Sequence, residues 1–94
     1  MAKKYNLLVV DDEEPLRELL EAELSDAAEY AVDVAADGGE AINRIQAKVY
    51  DVILLDIRMP RVTGIEVLKF VQEYSPTTQV IILTNYADIK TAIE

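Results

Sequence analysis

The sequence predicts an α/β domain, a parallel β-sheet with helices on both faces, and three observations carry that prediction. Four short apolar runs, at residues 7–10, 30–35, 51–56 and 80–83, are separated by stretches with helical spacing. Strands that alternate with helices form βαβ units, whose right-handed crossovers place the helices on both faces of the sheet. Two of the runs end in acids, at Asp11-Asp12-Glu13 and at Asp56, and the carboxyl ends of parallel strands are where such sheets open into a crevice.

The first strand is read from Leu7-Leu8-Val9-Val10. After the acids, Pro15 is tolerated in the first turn of a helix, with Asp12 a candidate N-cap. Leu16, Leu19, Leu20 and Leu24 then recur at helical spacing as a core-facing stripe of about three turns. Val32 and Val34 alternate in a weaker strand at 30–35, which suits an edge. Asp37-Gly38-Gly39 is turn chemistry, and Ala41, Ile42 and Ile45 follow as a shorter helix.

The stretch at 51–56, Asp-Val-Ile-Leu-Leu-Asp, is nearly unbroken apolar sequence. It reads as a central strand buried on both faces. Pro60 lacks an amide hydrogen and restricts Met59 to extended backbone, so Arg58-Met59-Pro60 leaves the ladder and Asp56 stands at the mouth of a loop. Thr63 and Glu66 have the spacing of a capping box, and Ile65, Leu68 and Val71 continue a helix to about Tyr74. Ser75-Pro76 ends it. A fourth strand at 80–83 stops at Thr84, and Asp88 can cap a last helix over 89–94.

Composition narrows the chemistry. Ninety-four residues with no cysteine and no histidine exclude disulfides, thiolate metal sites and imidazole bases, so a metal here is held by oxygen, as magnesium, calcium or manganese are. A formal net charge of −9 argues against a nucleic-acid surface. No run is long and apolar enough to span a bilayer, and no signal-peptide pattern opens the chain, so a cytoplasmic protein is expected. Taken singly, Asp11 and Asp12 fit a helix N-terminus favouring negative charge, and Asp56 fits a strand end accepting loop amides. Brought to one end of a sheet, the three carboxylates repel unless a cation lies among them. Magnesium would meet that need, and it would let an aspartate attack phosphorus where no other nucleophile is offered.

The ordered set Leu-Val-Val-Asp-Asp at 8–12, Asp-Gly-Gly-Glu-Ala at 37–41, Leu-Leu-Asp-Ile-Arg-Met-Pro at 54–60, Gly64 and Ile-Leu-Thr at 82–84 resembles the response-regulator receiver domain of two-component signalling. The resemblance runs the length of the chain. It implies a flavodoxin-like three-layer sandwich with strand order 2-1-3-4, and one receiver domain over 1–94 that stops within its fourth helix. The family's fifth strand and fifth helix, with the usual lysine, lie beyond that point, and Lys90 stands on the wrong element to replace it. By the same resemblance Asp56 is the phosphoacceptor. Mg2+ is held by Asp12 directly and by Asp11 through water, with Asp56 and the backbone carbonyl of Arg58 completing the set, and Thr84 contacts the phosphoryl group.

The implied partners are a sensor histidine kinase and a downstream output domain or protein, with no direct nucleic-acid or membrane binding by this domain. The chain as it stands is expected to be impaired in phosphorylation and to self-associate. Two other readings compete: a receiver-like interaction module that is never phosphorylated, and a magnesium-dependent phosphohydrolase with an aspartate nucleophile. Hydrolases resembling the haloacid dehalogenase family carry a second aspartate two residues after the nucleophile, where this chain has Arg58, so turnover as an enzyme is not expected.

Overall fold

Branched and leucine-rich runs form the strands, and the turns between them fall at the acids, glycines and prolines. In the computed structural model, which describes residues 4–27, 29–59 and 61–83, the elements are β1 (Tyr5–Val10), α1 (Glu14–Asp26), β2 (Tyr30–Ala35), α2 (Gly38–Ala47), β3 (Val52–Asp56), α3 (Gly64–Tyr74) and β4 (Gln79–Leu83). The strands are parallel in the order β2-β1-β3-β4, so β2 lies at an edge, as its weak alternation suggests. Thr84, Asn85, Asp88 and Lys90, and with them the expected fourth helix, lie outside the described residues.

Register assigns the faces. Leu8 and Val10 stand beside Ile53 and Leu55, and these four are buried with Ala41 and Ile45 of α2 and Val67 and Val71 of α3 in one cluster. The opposite face carries Leu7, Val9, Val52 and Leu54, with α1 packed over β1 and β2. Among the described strands, only β1 is fully buried over four successive residues. In β3, Ile53 and Leu55 are buried while Val52 and Leu54 are half-buried, which corrects the expectation of a strand buried on both faces: α1 covers the β1–β2 side of its layer and leaves β3 partly open. Ile81, beside Leu54 in the register, is 52% exposed.

Two local expectations change for related reasons. Glu13, not Asp12, takes the N-cap position of α1, and its side chain makes no capping bond. The Asp11 carboxylate accepts from the Glu13 amide at 2.8 Å, an Asx turn that leads the chain into the helix one residue later than expected. The leucine stripe of α1 also fails to become core, since the helix has no buried residue; Leu16 is 37% and Leu19 56% exposed.

Helix α2 begins at Gly38, inside the stretch read as a turn, because Asp37 caps it by accepting from the Glu40 amide at 2.8 Å. Helix α3 starts as its sequence indicates, with Thr63 capping it through the Glu66 amide at 3.3 Å. The entrance to β3 is clamped to β1 by Asp51, whose Oδ2 accepts from the Asn6 amide at 2.7 Å and whose own amide donates to the Asn6 carbonyl at 2.8 Å. That clamp sets the register that carries Asp56 to the far end.

Candidate functional site

Val10 and Leu55 are register partners in neighbouring parallel strands, so the residue after each, Asp11 and Asp56, emerges at the same end of the sheet. Asp11 has left the strand but its amide still donates to the Ala35 carbonyl at 3.2 Å, and the residue is only 2% exposed. Arg17, one turn into α1, donates from Nη1 to the Asp11 carbonyl at 2.8 Å. With one carboxylate oxygen taken by the Glu13 amide, Asp11 is fixed at both main chain and side chain. Asp12 is exposed beside it, and Asp56 is half-buried.

Asp11, Asp12 and Asp56 each present one carboxylate oxygen such that all three lie within 4.8 Å of one another. Hard oxygen donors with this spacing fit a small divalent cation better than a soft one. The electrostatics agree. Burial pushes the Asp56 carboxyl up to about 6 from an ordinary 3.8; the Arg58 amide works against this, while the charges of Asp11 and Asp12 and a hydrogen bond with Asp12 add to it. A carboxyl raised by burial and further by its acidic neighbours is a group that a cation would relieve.

The loop from 57 to 63 finishes the site. The Arg58 amide donates to Asp56 Oδ1 at 3.0 Å, and the Gly64 amide closes the loop on the Ile57 carbonyl at 3.0 Å. Gly64 has no room for a side chain: a Cβ would overlap the Asp56 carbonyl oxygen and lie 2.5 Å from Ile57 Cα. Arg61 turns the chain with a φ of 63°, a left-handed conformation that costs a non-glycine residue about 1 kcal/mol. Met59 is buried in the core cluster, anchoring the loop from within, while Arg58 is exposed.

Of the residues singled out from sequence, Asp11, Asp12 and Asp56 are brought together, Arg58 lies beside them, and Thr84 is outside the described residues. Arg17 was missed. Its signal was present in its place one turn into the helix that follows the acids, but a helical arginine commonly faces solvent.

The response regulator receiver domain family matches residues 7–94. Among curated proteins, the transcriptional regulatory protein ZraR of Klebsiella oxytoca is 37% identical over 92 residues, 98% of this chain and 20% of its own length. The transcriptional regulatory protein DltR of Streptococcus agalactiae is 44% identical over 78 residues, 83% of this chain and 34% of its own length. The chain therefore spans about a fifth to a third of these relatives. Among solved structures, the response regulator TrrA of Thermotoga maritima, in complex with Mg2+ and BeF, superposes with a TM-score of 0.83 at 37% identity, over 93% of this chain and 75% of that one. The chemotaxis protein CheY4 of Vibrio cholerae gives 0.85 at 35% identity, over 96% and 77%.

Proposed function

The chain belongs to the response regulator receiver domain family, and from that premise we propose that it accepts a phosphoryl group on Asp56 from a sensor histidine kinase and thereby alters its affinity for a downstream output domain or protein. The observation that carries the reading is the convergence of three carboxylate oxygens within 4.8 Å at adjoining strand ends. An Asp56 oxygen attacks phosphorus, the phosphorus–nitrogen bond of the donor phosphohistidine breaks with its electron pair going to nitrogen, and the ring leaves as neutral imidazole carrying the proton already on its other nitrogen. Bound Mg2+ would neutralise charge on the phosphoryl oxygens.

Asp11, Asp12, Asp56 and the carbonyl of Arg58 would hold that ion, and the Asp11 clamp by Glu13 and Arg17 supports one side of the set before the ion arrives. The Arg58 amide on Oδ1 orients the Asp56 carboxylate so that its other oxygen is the one presented. Thr84 would contact the transferred group and draw its segment inward. Arg58 stands where a hydrolase would place its acid–base partner, so the domain takes phosphate on without turning it over. The reading implies action in the cytoplasm, no nucleic-acid contact by this domain, and association of the 94-residue chain through its open sheet face.

Incubation with acetyl phosphate and Mg2+, read by intact mass, tests the function. A single phosphoryl adduct, absent from Asp56→Asn and absent without the metal, is expected. No adduct, or one that persists in Asp56→Asn, would overturn the assignment.

A further inference from the structure

Two successive glycines begin α2, and their surroundings differ. A Cβ on Gly39 would meet only Asp37 Oδ1, at 3.4 Å, an ordinary contact. A Cβ on Gly38 would overlap the carbonyl oxygen of Val62 and lie 2.7 Å and 2.8 Å from its Cγ1 and Cβ. The backbone of α2 therefore lies directly on the backbone of the loop at 57–63, and only glycine at 38 allows it.

The contact has a consequence for the acids. Rotating Val62 cannot relieve an added Cβ, because the first atom met is a main-chain oxygen. Either α2 or the loop must retreat. Helix α2 is held by buried Ala41 and Ile45 and by the Asp37 cap; the loop is pinned by buried Met59, but its stretch next to Gly38, with half-buried Val62 and the left-handed turn at exposed Arg61, is held by less. The loop yields first. It carries the Arg58 amide that orients Asp56, so a displacement at Val62 reaches that amide four residues away, and through it the carboxylate.

We propose that Gly38 is a positioning residue for the acidic site: the bare backbone at the start of α2 is the wall against which the loop at 57–63 is set, and through it the Arg58–Asp56 contact. The proposal rests on the reading of Asp11, Asp12 and Asp56 as a Mg2+ and phosphoacceptor site. Groups that orient metal ligands without touching the metal are worth about tenfold or more in affinity.

The test is calorimetric Mg2+ titration of the whole chain, well below its melting temperature, together with amide hydrogen exchange over 57–63 without metal. Gly39→Ala binds as the wild type does. Gly38→Ala binds about tenfold more weakly, with faster exchange in the loop, and adding Val62→Ala to it does not restore affinity because the carbonyl remains. A merely structural role would lower the melting temperature and leave native-state Mg2+ affinity and loop exchange unchanged, which would overturn the proposal. So would restoration by Val62→Ala. Should Gly38→Ala not fold, Asp37→Ala decides, since it removes the cap that holds the start of α2 in place while leaving Gly38 bare: faster loop exchange with weaker Mg2+ binding supports the proposal, and wild-type values overturn it. Failure of the wild type to bind Mg2+ sinks the site reading along with this one, whereas equal binding by wild type and Gly38→Ala sinks the positioning role alone.

Discussion

The Arg58 amide donates to Asp56 Oδ1 at 3.0 Å, and it is outweighed. Burial, followed by the charges of Asp11 and Asp12, still lifts the Asp56 carboxyl to about 6. A carboxyl whose folded pKa lies above its unfolded value costs stability when ionised. The penalty is absent below 3.8, grows between 3.8 and about 6, and is complete above that. Asp56→Asn is therefore expected to be more stable than the wild type at pH 7, by on the order of 1 kcal/mol once solvent screening of this half-exposed group is allowed for. Urea denaturation at pH 7 and pH 4 checks this; the gap closes at the lower pH, and a pH-independent gap would show that the repulsion is not its source.

Asp12 is the exposed member of the acidic set and makes the smaller investment in holding the fold. Its removal should report on the cation more cleanly than removal of buried Asp11. Asp12→Ala is expected to weaken Mg2+ binding by about tenfold or more with little change in unfolding free energy. Equal affinity in a calorimetric titration would remove Asp12 from the ligand set.

Away from the acids, the buried Tyr50 donates its hydroxyl to Asp33 Oδ2 at 2.6 Å, and Lys48 Nζ lies 3.1 Å from the same oxygen. Burial alone would raise the Asp33 carboxyl, but the bonds from Tyr50 and Lys48 outweigh it and hold it below 3.8. Burial and the Asp33 contact push Tyr50 up to about 12. Because the folded pKa of Asp33 is depressed, its contribution is present above 3.8 and is lost as pH falls through the folded value. Tyr50→Phe should cost about 1–2 kcal/mol at neutral pH, and the loss should narrow in acid. A variant as stable as the wild type at pH 7 in urea would show the bond to be incidental.

Ile81 and Leu54 lie side by side on the α1 face of the sheet, Ile81 52% exposed and Leu54 half-buried, and among the described residues β4 has a strand neighbour on one side only. Apolar surface left open costs about 25 cal/mol per Å². The 94-residue chain is expected to self-associate at micromolar concentration, and Ile81→Lys to reduce this in sedimentation velocity. The substitution moves the net charge only from −9 to −8, which weakens repulsion between copies, so a fall in association would have to come from the lost apolar contact. A wild type that sediments as a monomer at all concentrations would show that the face is tolerated.

The sequence alone determined which stretches are strands, where α1 and α3 begin to within a residue or two, and that Asp11, Asp12 and Asp56 stand at strand ends, because branched runs, caps and prolines act on their immediate neighbours. Tertiary structure decided the rest. Glu13 displaces Asp12 at the start of α1 because the Asp11 side chain takes the Glu13 amide, a choice between adjacent acids that spacing cannot make. The leucines of α1 stay half-open because the helix covers β1 and β2 but not β3. Asp33 meets Tyr50 only because β2 lies beside β1 and the chain returns beneath it before β3. Gly38 and Val62 meet because two helices that follow different strands pack on one face. Such contacts join residues 17 to 24 positions apart in the chain, and they follow from strand order, which local periodicity does not encode.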